Sequence, residues 1–395
     1  MSETASEPVW TRERMVTLVA LIGCLSTYGL TLTLFTPLLS LILEGQGHSS
    51  TLIGALAMAA PAGVIIGSFL VPRVLRHVEG RSLLFAGVFI EIVLIFLLMS
   101  IHSLPAWFLI RFLGGLTGAV LFVVTETWML EITPNSSRGR VMGLYNTVLS
   151  LSFALGPLLL AVTGIQGKLP FVTGIVVMGF AGLPLLATGR YYPSSTDQPT
   201  FGIISFVRVA PLLALACFVV AFKDLAGTSL LPVYSVRVGL NESSAVLMLF
   251  FAAAGGALLQ LPVGWLADRL DRRAVLIGCA LAGLAGSMIW PFVMHLPALL
   301  WLTLFFWWGL FAGVYTVAMT LAGQWFRGIE LATAMAAFGV FWGLGAFTGP
   351  LVGGVGMDLW NPHGLPLVLL VAAAGFVVMS LVPGNYRLRS SAGRR

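Results

Sequence analysis

The chain has 395 residues, 58% of them hydrophobic and 9% charged, and its mean hydropathy is +0.99. Soluble domains do not have this balance, and apolar runs of about 20 residues, enough to cross roughly 30 Å of hydrocarbon, recur along the chain. The composition therefore excludes a soluble protein and predicts an all-α integral membrane protein.

Apolar runs and the polar breaks between them predict twelve transmembrane helices. In the first half the spans lie at about 15–43, 50–72, 81–101, 105–131, 139–163 and 170–190. In the second half they lie at about 208–236, 243–267, 273–294, 297–325, 329–356 and 365–383. The polar stretch near the midpoint has the composition of a linker. We therefore predict an N-terminal six-helix bundle at 1–190, a cytoplasmic linker at 191–207, and a C-terminal six-helix bundle at 208–395 that ends in a short basic cytoplasmic tail.

Lysine and arginine are distributed unequally between the two sides that these spans define. With the N-terminus in the cytoplasm, 17 of the 21 basic residues fall on the inner side; Lys168 and Arg237 fall on the outer side, and Arg111 and Lys223 within spans. Because cytoplasmic loops are rich in basic residues, we predict a multi-pass protein of the cell (inner) membrane with both termini cytoplasmic. The net charge of +6 is then a topology signal and does not indicate a nucleic-acid partner.

Side chains that would carry metal or covalent chemistry are few and scattered. The three cysteines all lie in apolar runs, where cysteine behaves as a small buried hydrophobe. The five histidines show no ligand spacing, and no nucleophile–base pattern appears. We therefore expect no enzyme activity, no metal site and no cofactor.

The two halves of the chain resemble each other. Gly156-Pro157 in span 5 matches Gly349-Pro350 in span 11, and Arg81 matches Arg273 at an offset of 192. Each offset is close to half of the chain length. A duplicated six-helix unit is therefore predicted, as in transporters built from repeats.

The densest charge cluster is the inner loop between spans 8 and 9, Gly264-Trp265-Leu266-Ala267-Asp268-Arg269-Leu270-Asp271-Arg272-Arg273. It resembles the signature Gly-x-Leu-Ala-Asp-Arg-x-Gly-Arg-Arg loop of the major facilitator superfamily of transporters, with Asp271 in place of the second glycine. The resemblance covers essentially the whole chain and implies two pseudo-symmetric six-helix bundles of the major facilitator fold. It also implies a conformational switch, which we assign to Gly264, Asp268, Arg269, Arg272 and Arg273. The matching loop of the first half, Pro72 to Arg81, has no Asp at the matching helix end.

Two further motifs resemble those of proton-coupled antiporters in this superfamily. Residues 111–119 in span 4 look like the Arg-x-x-x-Gly-x-x-Gly-Ala pattern, and residues 345–354 in span 11 resemble the Gly-Pro-x-x-Gly-Gly signature. In the superfamily that signature belongs in span 5, where this chain has only Ala154-Leu155-Gly156-Pro157-Leu158. Independently of the resemblance, glycines four residues apart allow close helix contact, and proline lets a helix flex.

Ionisable residues inside spans are costly and are functional candidates by default. Five qualify: Glu91, Arg111, Glu126, Lys223 and Asp224. The resemblance implies that spans 1, 4, 7 and 10 line a central cavity, so we assign proton coupling to Asp224, Glu126 and Arg111.

Each of these residues also has a structural interpretation. Arg111 can bond backbone carbonyls, Glu126 can bond the loop that follows it, and Glu91 can hydrogen-bond a neighbouring helix. Lys223 can have either a structural or a functional role. Because adjacent helical residues point to different sides, we expect Lys223 and Asp224 not to neutralise each other.

The substrate cavity is predicted on the same spans. Its candidate lining is Tyr28, Thr31, Phe35, Arg111, Trp307, Trp308, Phe311 and Tyr315. Aromatic stripes often pack against helices or lipid, but on spans 1 and 10 they favour a cavity with amphipathic walls. Because a fixed guanidinium repels cations, we expect a neutral or anionic amphipath rather than a quaternary ammonium compound.

The sequence thus predicts a secondary transporter that works by alternating access. The leading hypothesis is proton-coupled efflux of a small amphipathic molecule by an antiporter. The alternative within this class is proton-coupled import of a small metabolite or a metal chelate, and a non-transporting membrane sensor is the alternative from another class. Expected partners are the substrate, protons and the lipid bilayer, and we expect a monomer.

Overall fold

In the computed structural model, residues 10–134, 137–188, 206–207, 209–326 and 329–382 are described. Nearly all of the predicted linker at 191–207, and nearly all of the basic tail, lie outside these ranges. The regular secondary structure of the described part of the chain is entirely helical, with no strand. Its α-helices are α1 (Arg12–Gly45), α2 (Ser50–Val74), α3 (Gly80–Ser100), α4 (Leu104–Ile132), α5 (Arg138–Thr163), α6 (Leu169–Leu186), α7 (Pro211–Arg237), α8 (Glu242–Leu258), α9 (Gln260–Arg269), α10 (Arg272–Ile289), α11 (Pro297–Trp325), α12 (Ile329–Leu359) and α13 (Gly364–Leu381).

Twelve helical segments of the described chain are long and apolar enough to cross a membrane. The all-α, twelve-span prediction is confirmed, and the span ends agree to within a few residues. The eighth span, Glu242–Arg269, consists of α8 and α9, which are separated at Leu259. Pro262 follows this break, and because proline has no amide hydrogen it cannot donate to the carbonyl four residues earlier.

Burial differs strongly between the helices. In their most apolar windows, α7 is 72% buried and α1 is 67% buried, whereas α3 and α6 are each 33% buried. The exposed faces of α3 and α6 carry large apolar side chains, including Phe89 and Phe180. Such faces suit contact with lipid, whereas α1 and α7 lie mostly inside protein.

The chain forms two compact units. The first comprises residues 1–35 and 59–196, and the second comprises residues 36–58 and 197–395. The boundary at 196/197 falls within the predicted linker. The ends of α1 and α2 that meet at residues 45–50, however, pack with the second unit, although by sequence they belong to the first repeat.

Within the second unit, α12 packs closely along α7. The glycines that sequence analysis noted in span 11 provide this contact: a side chain at Gly345 would overlap the carbonyl of Phe218, and one at Gly349 would overlap the carbonyl of Phe222. The spacing of four residues places both glycines on one face of α12. This packing positions α7, which carries the charged residues described next.

Candidate functional site

The charged centre of the second unit lies on α7. The side chain of Lys223 is 1% exposed, and its Nζ lies 2.6 Å from Oδ1 of Asp224, whose side chain is 21% exposed. The expectation that these neighbours do not neutralise each other was therefore wrong. The lysine stem is long enough to bend back to the adjacent carboxylate, and a buried ammonium without a counter-charge is far more costly than this bend.

Aromatic rings from α11 surround the ammonium of Lys223. Its Nζ lies 3.9 Å from the centre of the Trp308 ring and 5.6 Å from that of Phe311. A ring face attracts a cation, and more strongly where water is excluded. The Trp308 ring rests against Gly227, one turn along α7 from Lys223, where any side chain would overlap it. Glycine at this position is thus what allows the indole to lie beside the lysine.

The other predicted aromatic residues of span 10 make different contacts. Trp307 donates from Nε1 to the carbonyl of Gly283 and to Ser287 Oγ on α10, at 3.0 and 3.1 Å. It also stacks on Trp290 with ring centres 5.8 Å apart. Tyr315 packs against Trp342 at 5.3 Å. The structure therefore brings Trp308 and Phe311 to the charged centre, and places Trp307 in the packing of α11 on α10.

The first unit has its own polar cluster, formed by α1, α3 and α4. Thr117 on α4 donates to Glu91 Oε2 on α3 at 2.5 Å. Arg111 is 8% exposed and interacts electrostatically with both Glu91 and Tyr28. The Tyr28 hydroxyl donates to the carbonyl of Gly114 at 3.5 Å, next to the same carboxylate. Arg111 thus shares this interior with one carboxylate and one phenol.

Glu91 was not among the predicted site residues, because it lies on α3 and the cavity was expected on spans 1, 4, 7 and 10. The structure brings it to Arg111 and Thr117. The available signal was a carboxylate in the middle of a span whose other charge, Arg81, lies at its start, together with the hydroxyl of Thr117 on the next helix. Hydropathy alone does not show which face of α3 meets α4.

The remaining candidates on α1 and α4 make local contacts. Thr31 donates to the carbonyl of Thr27 at 2.9 Å, and Phe35 packs on Phe171 with ring centres 5.7 Å apart. Glu126 accepts a 2.7 Å hydrogen bond from the Tyr145 hydroxyl of α5. That contact corresponds to the structural interpretation of Glu126, while its proton-coupling role stays a prediction.

The signature loop joins α9 to α10. Asp268 is 70% exposed and lies 3.7 Å from Arg272, and Arg269 stacks on Trp265 at 4.1 Å. The described contacts of Asp268 do not test its switch role, which stays a prediction. Arg272 and Arg273 donate to the carbonyls of Thr320 and Leu381, and Gly264 has open space around its α-carbon.

Asp271, which stands where the superfamily loop has a glycine, is the N-cap of α10. Its carboxylate accepts from the amide of Ala274 at 3.1 Å. Capping by aspartate satisfies one of the free amides at a helix start, and its charge suits the helix dipole. The departure from the signature therefore has a local structural role.

No group of three or more His, Cys, Asp or Glu side chains in the described part of the chain has a geometry that holds a metal ion. The three cysteines are free and buried.

Comparison with known proteins identifies the family. The profile described as Major Facilitator Superfamily matches residues 20–315 and 247–394. The chain is 26% identical over 377 residues to the MFS-type transporter YfkF of Bacillus subtilis (strain 168), covering 92% of this chain and 94% of that protein. It is 25% identical over 350 residues to the MFS-type transporter YcaD of Escherichia coli O6:K15:H31 (strain 536 / UPEC), covering 86% of this chain and 88% of that protein.

Solved structures share the fold. The nucleoside transporter NupG superposes with a TM-score of 0.72 at 12% identity, covering 94% of this chain and 98% of that one. A D-xylose-proton symporter superposes with a TM-score of 0.71 at 13% identity, covering 93% and 96%. The resemblance seen in the signature loop is confirmed: the chain belongs to the Major Facilitator Superfamily, and it is a multi-pass membrane transporter, not an enzyme.

Proposed function

We propose that this protein is a proton-coupled secondary transporter that exports a small neutral amphipathic molecule by alternating access. The observation that carries the proposal is the pair formed by Lys223 and Asp224. The ammonium is fully enclosed while the carboxylate is partly accessible, so a proton can reach Asp224 without passing Lys223.

Protonation of Asp224 changes the charge of this centre. While Asp224 is ionised, the Lys223–Asp224 pair has no net charge, and the ammonium lies against the face of the Trp308 ring. Once Asp224 is protonated, the enclosed ammonium has no carboxylate partner, and displacing water from the accessible Asp224 side of the pair with an apolar ligand costs several kcal/mol. A proton and a neutral amphipath therefore exclude each other at this centre, which is the requirement for antiport.

The charge of the substrate decides the direction of coupling. An anion is attracted to the ammonium that protonation of Asp224 leaves unpaired, so an anion and a proton bind together. That arrangement gives symport and supports import as the second candidate, and the fold is shared with a D-xylose-proton symporter. A cationic substrate is disfavoured in both cases, because each unit buries a cation in its described part, Arg111 or Lys223, and Asp224 is already paired.

Transport into liposomes distinguishes these cases. Matched neutral, anionic and cationic aromatic compounds are first screened for binding by thermal shift and then offered to proteoliposomes under an imposed pH gradient. Antiport accumulates the compound in an acidic lumen, and symport accumulates it in an alkaline lumen, whichever way the protein is inserted. Binding without movement under either gradient supports a sensor and contradicts the proposal.

The role of Asp224 is tested with Asp224→Asn. We expect this variant to lose gradient-driven accumulation and to bind the neutral compound more weakly in the thermal-shift screen, because its ammonium, like that of the protonated parent, has no carboxylate partner. Glu242→Gln is the matched control, because Glu242 is an exposed carboxylate at the start of α8. Gradient-driven transport by Asp224→Asn at the parental rate would exclude Asp224 and make Glu126 the leading candidate.

A further inference from the structure

An apolar groove lies between the start of α1 and the end of α6 in the first unit. It has a volume of about 560 Å³, and its walls are mostly apolar side chains, among them Met15, Val16, Val19, Ala20 and Pro184. Met15 and Val19 are exposed although they lie in a predicted membrane span. A groove with such walls, at the depth of the hydrocarbon, suits an acyl chain.

The end of the groove nearest the start of α1 is basic. Arg12 lines it, and Arg81, at the start of α3, donates to the carbonyl of Leu186 at 3.3 Å, one residue before Ala187 of the groove wall. Within the described part of the chain neither arginine pairs with a carboxylate, and no acidic side chain lines the groove. The predicted topology places both arginines on the cytoplasmic side, at the level of the lipid headgroups.

Trp10 forms part of the groove wall beside this basic end, and α5 holds it in place. Its Nε1 donates to Oγ of Ser137, the residue that precedes α5, at 3.3 Å. Tryptophan is typical of the boundary between hydrocarbon and headgroups, because its ring is apolar and its N–H is polar. The indole therefore marks the level at which the apolar walls give way to the basic end.

We propose that this groove binds an anionic phospholipid, with an acyl chain along the apolar walls and the phosphate against Arg12 and Arg81. A guanidinium can donate two parallel hydrogen bonds to a phosphate, and basic pockets between membrane helices attract anionic headgroups. A zwitterionic lipid brings the same chains, but its ammonium cancels the charge that the two arginines attract. A soluble anion would leave the apolar walls uncovered. This proposal does not depend on the substrate or on proton coupling.

The test counts and weighs the bound lipid. Native mass spectrometry of the full chain released from detergent micelles measures how many lipids stay bound as their concentration rises. The probes are phosphatidylglycerol and phosphatidylcholine with identical acyl chains, and glycerol 3-phosphate is the soluble competitor. We expect the first phosphatidylglycerol to bind about tenfold more tightly than the first phosphatidylcholine, and glycerol 3-phosphate not to displace it.

Three variants separate the charge of the site from its shape. Arg12 is exposed, so Arg12→Gln leaves the core intact, and we expect it to weaken phosphatidylglycerol about fivefold, which corresponds to ~1 kcal/mol, and to leave phosphatidylcholine unchanged. Val16→Trp fills the groove and should weaken both lipids. Arg76→Gln is the matched control, because Arg76 is an exposed arginine of the same unit that does not line the groove. It should change neither affinity.

Two results would overturn the proposal. If Arg76→Gln weakened phosphatidylglycerol as much as Arg12→Gln, or if the parent bound the two lipids equally, lipid binding would not be set by this groove. If glycerol 3-phosphate displaced phosphatidylglycerol at equal concentration, the groove would take a soluble anion and not a lipid.

Discussion

The ammonium of Lys223 lies 3.9 Å from the centre of the Trp308 ring, so the most deeply buried lysine of the described chain rests on an aromatic face. The contact joins α7 to α11. It depends on Gly227, which leaves room for the indole. The ring and the Asp224 carboxylate together offset the cost of enclosing the lysine charge.

Removing the Trp308 ring should destabilise the protein through both packing and the cation contact. We expect Trp308→Leu to lower the free energy of unfolding by about 3–5 kcal/mol, of which about 0.5–2 kcal/mol is the cation–π contact. In a Lys223→Met background, Trp308→Leu should cost about 0.5–2 kcal/mol less, because no cation–π contact is left to lose. Denaturant unfolding of the four proteins in mixed micelles measures the coupling, and strictly additive losses would contradict the contact.

Removing one charge of the Lys223–Asp224 pair should cost more than removing both. Asp224→Asn leaves a buried ammonium without its carboxylate, and we expect a loss of about 1–3 kcal/mol, reduced from the fully buried case by the partial exposure of Asp224. Lys223→Met combined with Asp224→Asn should recover most of that loss. The unfolding midpoints of the single and double variants test this, and a double variant less stable than Asp224→Asn would refute it.

The Tyr145–Glu126 hydrogen bond allows the two interpretations of Glu126 to be separated. Tyr145→Phe removes the donor, and we expect the free energy of unfolding to fall by about 0.5–1.5 kcal/mol because a partly buried carboxylate loses a hydrogen-bond partner. If Glu126 is structural, gradient-driven transport by this variant should keep its parental pH profile. A shifted profile with unchanged stability would instead assign proton coupling to Glu126.

Because Asp271 caps α10, substitutions at this position should lower the free energy of unfolding by graded amounts. Asp271→Ala should lower the free energy of unfolding by about 0.5–2 kcal/mol, and Asp271→Gly by only a few tenths of a kcal/mol. Asp271→Asn should retain most of the cap, because its side-chain oxygen still accepts from the Ala274 amide. Equal stability of the alanine and asparagine variants would show that the cap contributes nothing.

The membrane spans and the family were readable from the sequence because their signals are local. Hydropathy within a window of about 20 residues defines each span, and the loop from Gly264 to Arg273 carries its motif in ten consecutive residues. The close packing by glycines at spacing four, seen at Gly345 and Gly349, also follows from helical periodicity.

The partner of each buried charge was decided only by the tertiary structure. Glu91 meets Thr117 because of how α3 faces α4, and Lys223 meets Asp224 because a flexible stem takes the rotamer that neutralises it. Glu44 forms an ion pair with Arg237, 193 residues away, and nothing near either one indicates the other. Hydropathy and periodicity report the environment of one helix, whereas the pairing of charges depends on helix contacts and side-chain rotamers that only the folded chain defines.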